Sequence, residues 1–173
     1  MDAPLAAVFL DFSVRKLEQY AGRIRDCLNR LTEEQVWFRA GESQNAVANL
    51  VLHLCGNLRQ WIGHGAGGLP DIRVRDAEFA ARGGISRQDL IARLDAAVAE
   101  AVGILRALSL ERLQQTAVLQ GYRVTALEAI YHAVEHFAMH TGQIIYATKA
   151  MTGEDLGYYR HLSGQAPRAD PTP

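Results

Sequence analysis

The last third of the chain carries three histidines at a four-residue spacing, His132, His136 and His140. On a helix this spacing puts consecutive members one turn apart on one face, so either adjacent pair can reach a single ion at about 2.0–2.1 Å. All three cannot share it, because His132 and His140 are separated by about 12 Å of helix rise. A third ligand has to come from another segment. His53, which stands among Leu50, Leu54 and Asn57, is the natural candidate. Three neutral imidazoles leave a coordination position for water or substrate, as in a catalytic metal site rather than a closed structural one. The plainer alternatives are a hydrogen-bonded core residue for His53 and a chance pairing on a polar face for the others. His64 and His161 fall in Gly-rich and tail segments and are expected at the surface.

A second metal motif overlaps the first. His132-Ala133-Val134-Glu135-His136 matches the H-x-x-E-H of inverted zinc proteases, which also need an acidic ligand well downstream. Only Glu154, Asp155 and Asp170 are available after His136. H-E-x-x-H, G-x-G-x-x-G, a Walker loop, G-x-S-x-G and C-x-x-C are all absent, so zincin, dinucleotide, phosphate-loop, serine-hydrolase and thioredoxin chemistries lack support. Trp37, Trp61, Phe137 and Tyr146 are read as core aromatics, with a pocket lining as the alternative.

The elements that must hold these residues are helical. Val8, Phe9, Phe12, Leu17, Tyr20, Ile24, Cys27, Leu28 and Leu31 recur at i, i+3, i+4 and define a first helix over about 4–31. A short helical turn is expected after Thr32, where a cap residue precedes acidic residues, followed by a loop over 41–45. The stripe Val47, Leu50, Val51, Leu54, Leu58, Trp61 and Ile62 places His53 in the middle of a second helix over about 46–62. Residues 63–84 hold Gly63, Gly65, Gly67, Gly68, Gly83 and Gly84, the composition of a connection. Such a length suits a segment that crosses a bundle or borders a site.

Ser86 and Asp89 open a third helix that runs to about Leu105. A short turn over 109–115 and an extended stretch or small hairpin over 116–124 follow. Thr125-Ala126-Leu127-Glu128 is a capping box for the fourth helix, which ends near Met151 with Gly153 as its left-handed terminator. These elements predict an all-α, four-helix bundle with a long crossover connection. A single domain over 1–153 is expected, with 154–173 as a partly flexible tail.

Composition sets outer bounds. With 18 basic and 19 acidic residues the formal net charge is -1, and Lys occurs only at 16 and 149, so no basic stripe for nucleic acid exists. The chain is 49% hydrophobic and 21% charged, an ordinary globular balance. Cys27 and Cys55 sit on apolar stripes and read as buried free thiols. The start, MDAPLAAVFL, lacks a charged leader, and no apolar run approaches a membrane span. A cytoplasmic location and no membrane partner are therefore expected.

The run from Asn49 through His53, Cys55, Gly56 and Asn57 to Trp61, paired with Glu135-His136-Phe137-Ala138-Met139-His140-Thr141-Gly142-Gln143-Ile144, resembles the DinB/YfiT-like superfamily of metal-dependent enzymes. The likeness extends from the first helix to the end of the fourth. It implies one divalent metal ion per chain (Zn, Ni, Mn or Fe) on His53, His136 and His140, with His132 outside the triad. Asn57, His132, Gln143 and Trp61 become second-layer or pocket residues. The resemblance also implies a metal-dependent thiol S-transferase that takes a low-molecular-weight thiol cosubstrate and a small-molecule substrate, often as a homodimer. The alternatives are a hydrolase that activates water on the metal and a non-catalytic metal- or ligand-binding protein.

Overall fold

A computed structural model describes residues 3–160 of the chain. The elements in order are α1 (Ala3–Arg30), α2 (Glu33–Trp37), α3 (Val47–Leu58), a π-helical continuation of α3 (Arg59–Ala66), α4 (Arg75–Ala80), α5 (Arg87–Ala107), α6 (Leu110–Gln114), β1 (Thr116–Leu119), β2 (Tyr122–Thr125) and α7 (Ala126–Thr152). The fold is all-α apart from one antiparallel hairpin, in which Thr116 pairs with Thr125 and Leu119 with Tyr122.

Local chemistry sets the helix ends. Thr125 Oγ1 accepts from the Glu128 amide at 3.2 Å while the Glu128 carboxylate accepts from the Thr125 amide at 2.7 Å, the capping box expected from the sequence. Ser86 caps α5 through the Asp89 amide, and Thr32 with Gln35 forms a second capping box on α2. Gly153 closes α7 at φ 70°, a left-handed conformation that costs a glycine little.

The four long helices pack in a ring ordered α1, α5, α3, α7. Side-chain pairs give their directions. Tyr20 stacks on Phe137 and Arg30 bonds Glu154, so α1 runs parallel to α7. Arg25 with Asp95 and Glu18 with Arg106 make α1 antiparallel to α5. His53 meets His136 and His140 whereas Trp61 meets His132, so α3 is antiparallel to α7. Helices α3 and α5 are thus parallel neighbours, and the chain between them must return along the bundle. That return is the long crossover.

Phe137, Leu17, Ile24, Leu28, Leu54, Ile62, Leu94 and Leu105 are fully buried and fill the bundle interior. The crossover differs from a bare connection in two ways. Helix α3 does not stop at Ile62 but runs on in π form to Ala66, and residues 75–80 form α4. Arg112 caps the π segment by donating to the Ala66 and Gly65 carbonyls at 2.8 and 2.9 Å. At Gly65 a Cβ would sit 2.7 Å from Leu119 Cδ1, so the absent side chain lets the hairpin close on this segment. His64 is half-buried rather than exposed, because its Nδ1 donates to the Leu69 carbonyl at 2.6 Å.

Beyond α7, Leu156 is buried, and the Tyr158 hydroxyl donates to Asp26 at 2.9 Å and lies 3.6 Å from Cys27 Sγ. His161 and the rest of the tail lie outside the described residues. Among the described residues no helix is long and apolar enough to cross a membrane.

Candidate metal centre

Helices α3 and α7 bring His53, His136 and His140 together, with one ring nitrogen of each lying within 4.8 Å of the others. His136 Nε2 is 3.1 Å from His53 Nε2 and 3.2 Å from His140 Nε2. His136 and His140 are one turn apart on α7, as their spacing requires, while antiparallel packing swings His53 in from α3.

The outward nitrogens decide the tautomers. His53 Nδ1 lies 2.9 Å from Glu78 Oε2, and a carboxylate only accepts, so that nitrogen carries the proton. His140 Nδ1 likewise donates to Gln143 Oε1 at 2.7 Å. Both rings therefore turn an Nε2 lone pair inward. His136 has at most one proton to place between two acceptors, so hydrogen bonding within the cluster cannot satisfy all three nitrogens. A single cation accepts all three lone pairs, and three imidazoles are a donor set that suits borderline divalent metals. The residues present fit such an ion.

Burial favours the neutral, ligating forms. Loss of solvent, aided by the neighbouring His140 and His53, pushes the His136 pKa down to about 3, and burial likewise lowers that of His140 against the opposing bond to Gln143. His136 Nδ1 is buried without a hydrogen-bond partner.

Behind His53 lies a buried pair from the crossover. Arg73 Nε donates to Glu78 Oε1 and Arg73 Nη2 to Glu78 Oε2, each at 2.8 Å, a bidentate ion pair with side chains 3% and 11% exposed. Burial raises the Glu78 pKa, but hydrogen bonds and charge from Arg73 and His53 outweigh it, and the carboxyl stays below its ordinary range. Arg73 Nη1 also donates to Gln60 Oε1 at 3.0 Å, which accepts from Gln120 of the hairpin at 2.7 Å. Phe79 packs its ring against His53 with centroids 4.6 Å apart. Sequence reasoning missed Arg73, Glu78 and Phe79. The available signal was the length of the 63–84 segment, which fits a connection bordering a site.

The remaining sequence candidates sort by geometry. His132 lies outside the cluster with its ring under Trp61, centroids 3.9 Å apart, and 5.5 Å from the His136 ring. Asn57 and Trp61, one and two turns beyond His53, are 3% and 5% exposed, and Asn57 Oδ1 and Trp61 Nε1 have no partner. Gln143 orients His140. Phe137 is core, Trp37 donates to the Ile85 carbonyl, and Tyr146 is 78% exposed. The inverted-protease reading finds no acidic ligand among the described residues, because Glu154 bonds Arg30 and Asp155 bonds Arg160; Asp170 lies outside them.

Three solved structures share the fold. A conserved protein from Enterococcus faecalis superposes with a TM-score of 0.71 at 18% identity, covering 83% of this chain and 97% of its own. A DinB-like protein from Bacillus subtilis gives 0.64 at 17% identity, with 83% and 93% covered. A DinB family member from Shewanella denitrificans gives 0.60 at 16% identity, with 99% and 100% covered. Among curated proteins none matches the sequence. The family model described as protein of unknown function DUF1572 matches residues 4–164, and the chain belongs to this DinB-like family.

Proposed function

We propose that the chain binds one divalent ion through the Nε2 atoms of His53, His136 and His140 and acts as a metal-dependent transferase on a low-molecular-weight thiol. The observation that carries the metal reading is the convergence of three Nε2 atoms whose outer nitrogens are tied back by Glu78 and Gln143 at two of the three rings. Second-layer bonds of this kind fix the ligating tautomer. An ion held there supplies Lewis acidity that favours the thiolate form of a bound thiol.

The chain's own residues complete the setting. Phe79 covers one face of His53 and Trp61 covers His132. His132, whose pKa is lowered by burial, is a neutral base at pH 7 beside the cluster. The thiol must come from outside, because burial pushes the Cys55 thiol up to about 12 and raises that of Cys27 as well.

The test is a conjugation assay with a panel of small thiols and electrophiles. Turnover is expected to need both metal and thiol and to survive in the folded fraction of a Cys27→Ser, Cys55→Ser variant. Full activity after chelation removes the mechanism. Hydrolysis without thiol favours the hydrolase, and no turnover on either panel favours a binding protein.

His132→Ala is expected to keep the full metal content while altering any activity, since its ring is stacked under Trp61 outside the cluster. Elemental analysis of the purified variant checks this. Metal loss as large as that of His140→Ala would move the ligand role to the earlier pair.

A further inference from the structure

The crossover meets the histidine cluster at His53, and what lets Arg73 and Glu78 reach it is a missing side chain. A Cβ built on Gly56 would lie 1.9 Å from Glu78 Oε1, 2.8 Å from its Cδ and 3.0 Å from Arg73 Nε. Gly56 is inside α3, three residues after His53, at a position where glycine costs a helix about 1 kcal/mol relative to alanine. The bidentate pair occupies the space that any side chain would fill. Other bonds hold the pair there. Asn49 Nδ2 donates to the Glu78 and Ala81 carbonyls at 2.8 and 3.0 Å, Arg39 donates to the Phe79 carbonyl at 3.0 Å, and the Arg73 amide donates to Asp71 at 3.1 Å.

We infer that Gly56, Arg73 and Glu78 form a positioning unit for His53: Gly56 clears the helix surface, Arg73 aims the carboxylate, and Glu78 holds the Nδ1 proton so that Nε2 faces His136 and His140. Arg73 Nη2, which carries two protons, also lies 3.0 Å from His53 Nδ1 and 3.4 Å from the His53 carbonyl besides donating to Glu78 Oε2 at 2.8 Å. An unprotonated Nδ1 would set its lone pair against the Glu78 carboxylate at 2.9 Å, and that repulsion keeps the proton on Nδ1. None of the three residues touches the inward nitrogens, so they act through His53 alone. The metal-affinity readout rests on the proposed metal reading, whereas the His53 tautomer does not.

Gly56→Ala is the direct test, because the new methyl meets the end of a flexible side chain and alanine favours the helix. Zn²⁺ binding is expected to weaken about 10–100-fold, the usual effect of losing an outer-layer partner. In the metal-free variant, long-range ¹H–¹⁵N NMR is expected to show His53 leaving the Nδ1-protonated tautomer that the wild type holds. Gly103→Ala, at a helical glycine with open space around it, is expected to change neither readout. Should Gly56→Ala fail to fold, Glu78→Gln serves instead, since it keeps the shape and removes the acceptor-only charge. A folded Gly56→Ala or Glu78→Gln protein with wild-type affinity and an unchanged tautomer overturns the inference. If the wild type binds none of Zn²⁺, Ni²⁺, Mn²⁺ and Fe²⁺, the metal reading fails and the tautomer shift still decides the role of the unit.

Discussion

Replacing His136 and His140 together with Ala is expected to take the purified protein from about one divalent ion per chain to almost none, because an open three-ligand site keeps one imidazole when two are lost. Both side chains sit half-buried on α7, and their removal leaves Phe137, Ala133, Thr141 and Ile144 of the core in place. The variant should therefore fold, and elemental analysis with circular dichroism separates loss of metal from loss of structure. A folded double variant with full metal content would falsify the three-histidine site.

Acid should produce the same loss in the wild type. Each ligating imidazole must be neutral, so protons compete with the metal as pH falls. Stability of the metal-free protein follows in the same direction. The folded His136 pKa lies near 3 while an unfolded histidine takes its proton near 6.5, so between these values the unfolded state binds more protons. Stability at this residue is thus fully kept above about pH 6.5 and declines toward pH 3. A thermal midpoint that rises on acidification through this window would contradict the burial of His136.

The second large effect concerns Arg73. Arg73→Met is expected to destabilise the protein by about 3–5 kcal/mol, the range for breaking one side of a buried ion pair. For a domain of this size that corresponds to a fall of about 6–20 °C in the thermal midpoint. The cause is the Glu78 carboxylate, which loses two bonds of 2.8 Å in a site where its side chain is 11% exposed. Combining Arg73→Met with Glu78→Gln should recover much of the loss, since no uncompensated charge remains. Calorimetry of the metal-free proteins at neutral pH reads this. A single variant within 1 °C of wild type would show that the crossover is not anchored by this pair.

Some of this architecture is written locally. The i, i+4 relation of His136 and His140, the capping box at Thr125 and Glu128, the cap at Ser86 and the left-handed stop at Gly153 depend on residues within one turn of each other. Such features follow from helix geometry and hydrogen-bonding inventory whatever the rest of the chain does. Apolar periodicity likewise marked the four long helices. His53 was legible as a candidate from its mid-helix position, and its place beside the other two followed from the family resemblance.

The roles of Glu78, Arg73 and Gly56 were not legible, because each depends on a partner that only packing supplies. Parallel α3 and α5 force the crossover back along the bundle, and that path carries Glu78 to within 2.9 Å of His53 across 25 residues of sequence. Glycines that read as linker punctuation turn out to include positions of close approach, as at Gly65 under Leu119. His64 is drawn in by the carbonyl of Leu69, and the π continuation of α3 is capped by Arg112 from a later element. Local pattern determined the helices and the spacing of the α7 ligands, while tertiary structure decided which buried charge lies behind which histidine, since an electrostatic partner is chosen by distance in space and not by separation along the chain.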